Sequence, residues 1–391
     1  MDNLIILNNL DILCSNNFII QRFISKQKCI ETCNIRNCNV FTVQKDIVFY
    51  KKIDIKSAIE NICYNSESTV FIFDKNNLFK KQHYILDKKE RLDIYCKGLL
   101  TLKNHVFNKN HKYYKKIETI QQFLNTEKRE QWIYQHYSNI LKFISYVEEK
   151  PEEFNFNPYD LSWSQEYPTF VKSRKLSDPK NSILLPLEDL YIPSFYIDIL
   201  NSDIGFESKL DTCVWRGVNS GNFFNIVDKT RANRRDLVLK YCFHDTFNIG
   251  LSFANYKPSG NVNFDVNKYV KSKISIKEQL KYKYIISVEG NDFATNLSWI
   301  MLSNSVPLMP IPFVETWKIE SKLVPYVHYV PLNNDFSDLE EKIEWCNNNR
   351  DKCKNIAFMS RVYVLQFFNN NLEKEIITDI IHFYKEKTHS L

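Results

Sequence analysis

The second half of this 391-residue chain has the clearer alternation of apolar and polar positions. Thr212 to Arg216 is a short apolar run that stops at Gly217, the pattern of a buried strand. Tyr284 to Val288 reads as a second strand, Val306 to Met309 as a third and Val324 to Val330 as a fourth. Between the second and third, a helical stretch is expected from the turn Glu289-Gly290-Asn291-Asp292 through Leu302. Two helix starts carry the spacing of a capping box, in which two side chains satisfy each other's orphan backbone amides: Ser275 with Glu278, and Ser337 with Glu340. After the second start, Leu339, Ile343 and Cys346 fall on one helix face. Strands alternating with helices in this order predict a Rossmann-like parallel sheet.

The first half is less regular. Residues 1–120 alternate short apolar runs, such as Val70 to Phe73, with Lys- and Asn-rich stretches, a loose α/β pattern. Residues 121–150 read as helix, with Phe123, Trp132, Ile140, Leu141 and Ile144 at apolar positions, and residues 366–387 read as a closing helix.

Composition narrows the class. With 44% hydrophobic and 25% charged residues, and 28 Phe and 22 Tyr to fill it, a large core is affordable and two domains fit the length. Only seven glycines occur, so each turn that holds one is informative. The net charge of +6 is mild: a solvated surface accounts for it, as do capture of an anionic nucleotide sugar or peripheral docking at an anionic membrane. No basic run interleaved with aromatics points to nucleic acid. The N-terminal Leu4-Ile5-Ile6-Leu7 lacks a positive lead-in and is broken by Asn8, Asn9 and Asp11, so no signal peptide is expected and the protein reads as cytoplasmic, with a place at the inner membrane surface as the further option. The ten cysteines are then reduced thiols, and Cys29, Cys33 and Cys38 do not have zinc-site spacing.

The candidate chemistry gathers at turns. The Gly290 turn, at the carboxyl end of a strand, suits a pyrophosphate facing a helix N-terminus, although an ordinary turn capped by Asn291 or Asp292 has the same pattern. Trp215-Arg216-Gly217 would set a guanidinium at the same sheet edge, followed by Gly221 and by the basic cluster Arg231, Arg234 and Arg235; a surface arginine is the plainer account. Glu315 could accept ribose hydroxyls or be a surface carboxylate. His328 in a strand is more readily structural than catalytic. No Asp-x-Asp occurs, which favours a leaving diphosphate neutralised by arginine rather than a metal ion, and the lack of G-x-G-x-x-G argues against a dehydrogenase.

Taken together, Pro168-Thr-Phe-Val-Lys-Ser-Arg174, Val214-Trp-Arg-Gly217, Glu278-Gln-Leu-Lys-Tyr-Lys-Tyr284, Glu289-Gly-Asn-Asp-Phe-Ala-Thr-Asn-Leu-Ser-Trp299, Ser303-Asn-Ser305, Glu315-Thr-Trp317, Pro325-Tyr-Val-His-Tyr-Val330 and Asp335 to Leu339 resemble glycosyltransferase family 90. That group includes protein O-glucosyltransferases, capsule-associated proteins and bacterial lipopolysaccharide-modifying enzymes. The resemblance covers roughly residues 155–385 and follows the bacterial branch; residues 1–120 match nothing in it. Asn296 stands where the eukaryotic branch has an arginine, and Leu190-Tyr191 where the bacterial branch often has Arg-His.

The resemblance implies a GT-B architecture, two Rossmann-like domains facing across a cleft. Residues 1–205 would form the acceptor-side domain (with 1–120 as an extension), residues 206–365 the UDP-sugar domain, and residues 366–391 a helix packing back on the first. It implies an inverting, metal-independent transfer of a glucose-, xylose- or galactose-type sugar from a UDP-sugar, with no cofactor, to a hydroxyl of a surface glycan or glycolipid such as lipopolysaccharide or capsule. A protein acceptor, or a non-catalytic nucleotide- or carbohydrate-binding role on the same fold, is the alternative. The general base would be an aspartate shortly before the Pro-x-Phe segment, matched by Asp160, with Glu148 and Glu149 as competitors. Donor and acceptor contacts are expected from Lys172, Arg174, Trp215, Arg216, Gly217, Ser220, Arg231, Arg235, Glu289, Gly290, Asn291, Asp292, Ala294, Thr295, Asn296 and Glu315.

Overall fold

The computed structural model describes residues 85–389 except 98, 100–104, 107, 127–130, 161–164, 188–198, 200–202, 222, 224–229 and 255–264. It also describes Cys29 and the backbone of five earlier strands. These are β1 (Leu4–Ile12), β2 (Asn17–Arg22), β3 (Val40–Gln44), β4 (Ile47–Lys51) and β5 (Ile62–Phe73). They form an antiparallel sheet in the order β1-β5-β3-β4-β2. Cys33, Cys38, Leu190 and Tyr191 lie outside the described residues.

A helix at Lys88–Tyr95 and the short β6 (His105–Val106) lead to a four-stranded sheet. Its strands are β7 (Tyr114–Lys116), β8 (Glu153–Asn157), β9 (Thr169–Val171) and β11 (Ser182–Leu184), in the order β11-β9-β8-β7. The helical stretch expected at 121–150 is a pair of helices, Ile117–Thr126 and Gln131–Ile144. Between β9 and β11 lies β10 (Ser173–Lys175), which leaves this sheet and pairs elsewhere.

The sheet expected from the second half is present: β12 (Leu210–Val218), β13 (Asn248–Phe253), β14 (Tyr282–Ile286), β15 (Val306–Pro310) and β17 (Val330–Leu332) pair in parallel in the order β13-β12-β14-β15-β17. Every residue of β15 is buried, as expected of a parallel strand covered on both faces. Alternation divides the core. Cys213, Trp215, Tyr284 and Ile286 pack on one face with Leu237, Leu339 and Ile343; Val214, Ile285 and Met309 pack on the other with Trp299 and Val362. The fold is thus mixed α/β with parallel sheets of Rossmann-like pattern.

A two-stranded antiparallel ribbon joins the two regions: β10 pairs with β16 (Val314–Thr316), and Arg174 faces Glu315 in the register. The last helix, Asn370–Lys387, buries Ile376, Ile377, Ile380, Ile381 and Tyr384. Tyr384 reaches the smaller sheet, its hydroxyl 2.9 Å from the Asn155 amide and its ring 4.3 Å from Phe170. Beyond that helix, β18 (Thr388–His389) pairs with β6.

Three local expectations change. The helix after the Gly290 turn starts only at Leu297, with Asn296 as N-cap and no side-chain cap bond. Ser337 forms no capping box: its hydroxyl donates to Asp335 at 2.8 Å and the helix Leu339–Asn348 starts after Asp338. The segment 324–329 is a turn, and only Val330 enters the sheet. His328 is buried there, its Nδ1 accepting the Val324 amide at 2.9 Å; burial lowers its pKa to about 4, so it is a neutral structural residue. The Ser275–Glu278 capping box forms as expected. Among the described residues, no helix is long and apolar enough to cross a membrane, and no group of three or more His, Cys, Asp or Glu could hold a metal ion.

Candidate active site

The turns after β12 and β14 press against each other at the carboxyl edge of the parallel sheet, where such folds leave a crevice for ligands. Gly221 has φ +76°, and a Cβ there would lie 2.5 Å from the Gly290 carbonyl oxygen. A Cβ on Gly290 would lie 2.6 Å from Ser220 Oγ. At Gly221, where the neighbour is backbone and φ is positive, only glycine permits this approach. Asn291 closes the contact by accepting the Gly221 amide at 2.7 Å on its side-chain oxygen.

Two arginines pin the turns. Arg231 donates to the Gly290 carbonyl at 2.6 Å. Arg234 donates to the Val288 carbonyl at 2.8 Å, the Val218 carbonyl at 3.1 Å and Ser220 Oγ at 2.8 Å, so one guanidinium ties the ends of β12 and β14. Arg234 opens the helix Arg234–Tyr241 and lies 5.8 Å over the buried Trp215 ring. Arg235 follows in that first turn, its amide bonded to the Asn233 cap at 2.9 Å.

Arg216 is not at this crevice. Its guanidinium donates to Asn248 Oδ1 at 2.8 Å, the Asn248 carbonyl at 2.9 Å and the Ser272 carbonyl at 3.0 Å. Asn248 begins β13, so the side chain turns back along the edge of the sheet and supplies donors to carbonyls there. The sequence motif located the strand, and the structure places the guanidinium along the β13 edge.

Arg174 and Glu315 are brought together, yet as an internal pair. The buried guanidinium contacts Glu315 Oε2 at 2.6 and 3.0 Å, and donates to the carbonyls of Ile94 at 2.6 Å and Ser182 at 2.9 Å. The other Glu315 oxygen accepts from Ser321. The carboxylate expected to meet a ribose is therefore committed to the ribbon.

Beside the turn lies a small pocket whose lining includes Ser287, Glu289, Phe293, Ala294, Pro310, Phe313 and Glu320. Glu289 Oε1 accepts the Phe313 and Val314 amides at 2.9 and 3.1 Å. Glu320 accepts the Thr316 amide at 2.6 Å and the Thr316 hydroxyl at 2.7 Å. Burial raises both carboxyl groups to about 7, against the pull of those hydrogen bonds. Glu320 belongs to no segment that the sequence motifs singled out, and Arg234 was only one of three arginines; proximity to the cavity and the turn distinguishes them. Asn296 bonds the Ile286 carbonyl at 3.0 Å and the Ser287 hydroxyl at 3.0 Å, while Thr295 is exposed.

Lys172, between β9 and β10, stands where both sheets meet. Its ammonium lies 2.6 Å from Asp160 Oδ1 and 3.4 Å from Asp292 Oδ2. Asp160 follows β8 in the smaller sheet and is half-exposed; Asp292 follows β14 and is buried. Glu149, by contrast, pairs with Lys385 at 2.6 Å on the last helix, and Glu148 is exposed. Of the three carboxylates considered for the base, Asp160 is the one linked to the Gly290 turn.

The family description "Glycosyl transferase family 90" matches residues 197–385, which hold the parallel sheet, both glycine turns and the last helix almost to its end. The chain is 35% identical over 209 residues to O-glucosyltransferase LpsA of Dichelobacter nodosus, covering 53% of this chain and 59% of that protein. It is 32% identical over 203 residues to protein 179R of Invertebrate iridescent virus 6, covering 46% of this chain and 17% of that one. Over 78 residues it is 38% identical to protein O-glucosyltransferase 3 of Rattus norvegicus, covering 20% of this chain and 15% of that one. The chain thus spans less than two thirds of the length of each of these relatives. Residues 197–385, just under half of the chain, are thus similar to a glycosyltransferase family 90 domain.

Proposed function

We propose that this chain is an inverting, metal-independent glycosyltransferase of GT-B architecture that uses a UDP-sugar. The observation that carries the reading is the pair of glycine turns held by Arg231 and Arg234 at the sheet's carboxyl edge, beside an acid-walled cavity. Phosphates seek backbone turns backed by positive charge, whereas the cavity, lined by Glu289 and Glu320, repels phosphate and suits the hydroxyls of a ribose. The diphosphate would lie against the turns and the nucleoside in the cavity. The cleft would lie between residues 1–205 and 206–365, with 366–391 returning to the first part.

Asp160 is the general base of this reading. It takes the proton of the acceptor hydroxyl as that oxygen bonds to the anomeric carbon. The bond from that carbon to the diphosphate oxygen breaks on the opposite face, and UDP leaves with the electron pair. Arg231 and Arg234 stabilise the charge that grows on the leaving group. The names of the relatives make glucose the first donor to test and leave a glycan or a protein hydroxyl as the acceptor.

Purified protein incubated with a panel of nucleotide sugars, with released UDP measured in excess EDTA and again with magnesium, tests this directly. Equal release from one UDP-sugar under both conditions supports the proposal. Loss in EDTA restored by magnesium would remove metal independence, and binding of UDP without release or transfer would favour a non-catalytic nucleotide-binding protein.

A further inference from the structure

Asp292 presents an unresolved charge. Only 6% of the residue is exposed, and neither carboxylate oxygen completes a hydrogen bond of good geometry, although the Ser173 hydroxyl and the Phe293 amide lie close enough to favour its charge. The Lys172 ammonium is 3.4 Å from Oδ2, too far to satisfy it fully. Ser173, fully buried next to Lys172, has its hydroxyl near Asp292 but completes no bond of good geometry there. Burial raises the Asp292 pKa, and Lys172 and then Ser173 pull it back. Buried polar groups left unsatisfied each cost about 1–3 kcal/mol, more when charged, and are tolerated where a ligand supplies the missing bond.

We infer that Asp292, with Lys172 and Ser173, is the subsite that reads a hydroxyl of the sugar being transferred. The inference rests on the donor reading above. A hydroxyl both donates and accepts, so it can give its proton to Asp292 and accept from Lys172 or Ser173. A phosphate oxygen has no proton to give and would be repelled by the carboxylate, so the diphosphate is excluded from this position. Location agrees: Phe293 and Ala294, the next two residues, line the cavity, and Asp160 is on the other side of the same ammonium. The sugar would thus lie between the nucleoside cavity and the base. Lys172 has a positioning role, holding Asp160 and Asp292 at a fixed separation on either side of the reacting carbon.

A donor lacking the hydroxyl would leave Asp292 buried with only its long contact to Lys172, which makes this carboxylate a specificity element. The test compares wild type with Asp292→Ala and Asp292→Asn, using the accepted UDP-hexose and its 2-, 3-, 4- and 6-deoxy analogues. For wild type, one deoxy analogue should lose about 100-fold or more in kcat/KM, as sites built to bond a hydroxyl do. In Asp292→Ala that gap should shrink to within about threefold, while the Kd for UDP, which lacks the sugar, stays within about twofold. Asp292→Asn, which keeps shape, controls for folding and should also lose most of the gap. A full deoxy penalty retained in both variants would overturn the subsite and leave the donor reading intact. Failure of wild type to use any UDP-sugar would overturn both.

Discussion

Gly221 and Gly290 meet so closely that a Cβ on the first would lie 2.5 Å from the carbonyl oxygen of the second. Gly221→Ala adds a left-handed backbone to that collision. It should lower stability by about 1–3 kcal/mol in denaturant titration and weaken UDP binding with it. Gly205→Ala, where nothing lies within 4 Å, should stay within about 0.5 kcal/mol of wild type. Equal effects at the two positions would show that the contact does not shape the site.

Arg234 and Arg216 separate two accounts of the phosphate site. Arg234→Ala should weaken UDP binding by about 2–5 kcal/mol in calorimetry, since it removes a partly buried cation and releases both turns. Arg216→Ala should leave the UDP Kd within about threefold and act on the melting temperature, because its contacts are with Asn248 and Ser272. The opposite ranking would move the phosphates to the β12–β13 edge.

Asp160→Asn keeps an oxygen near Lys172 but removes the basicity. Turnover should fall about 10²–10⁴-fold with the UDP Kd nearly unchanged. Glu149→Gln, which loses only the Lys385 pair, should remain close to full activity. An active Asp160→Asn beside a dead Glu149→Gln would transfer the role upstream.

Glu289 and Glu320 make stability depend on pH in a defined direction. Both have folded values raised to about 7 from an ordinary 4.5, so the folded state keeps its protons to a higher pH than the unfolded chain. The stability conferred by these protons is complete below about 4.5 and is lost as pH rises to about 7. The unfolding midpoint of Glu289→Gln, whose amide oxygen can still accept the Phe313 and Val314 amides, should therefore change less between pH 5 and 8 than that of wild type. An identical pH profile would show that Glu289 is ionised throughout that range.

Much of the parallel sheet is legible in the sequence because its strands, buried on both faces, are continuous apolar runs, as in Tyr284 to Ile286 and Val306 to Pro310. The helix expected at Asn291 failed because those polar residues serve long-range partners: Asn291 bonds Gly221, and Asp292 faces Lys172. Arg216 and Arg234 have the same chemistry in the sequence, and only the position of β13 outside β12 turns the first away from the crevice. Arg174 and Glu315 are 141 residues apart, so their pairing has no local signature. The first 73 residues alternate too loosely for the order of their strands to be read.

The segment Thr169–Lys175 has a mechanical consequence. It enters the smaller sheet as β9 and leaves it as β10, joined to β16, with Lys172 as the single residue between the two pairings. That residue works as a splice with no slack. Adding one residue beside it would either displace the ammonium from Asp160 and Asp292 or slip β10 against β16, and a slip of one position turns Arg174 to the opposite face, away from Glu315. This short junction therefore has no room for an inserted residue, even though its neighbours on both sides are ordinary strands.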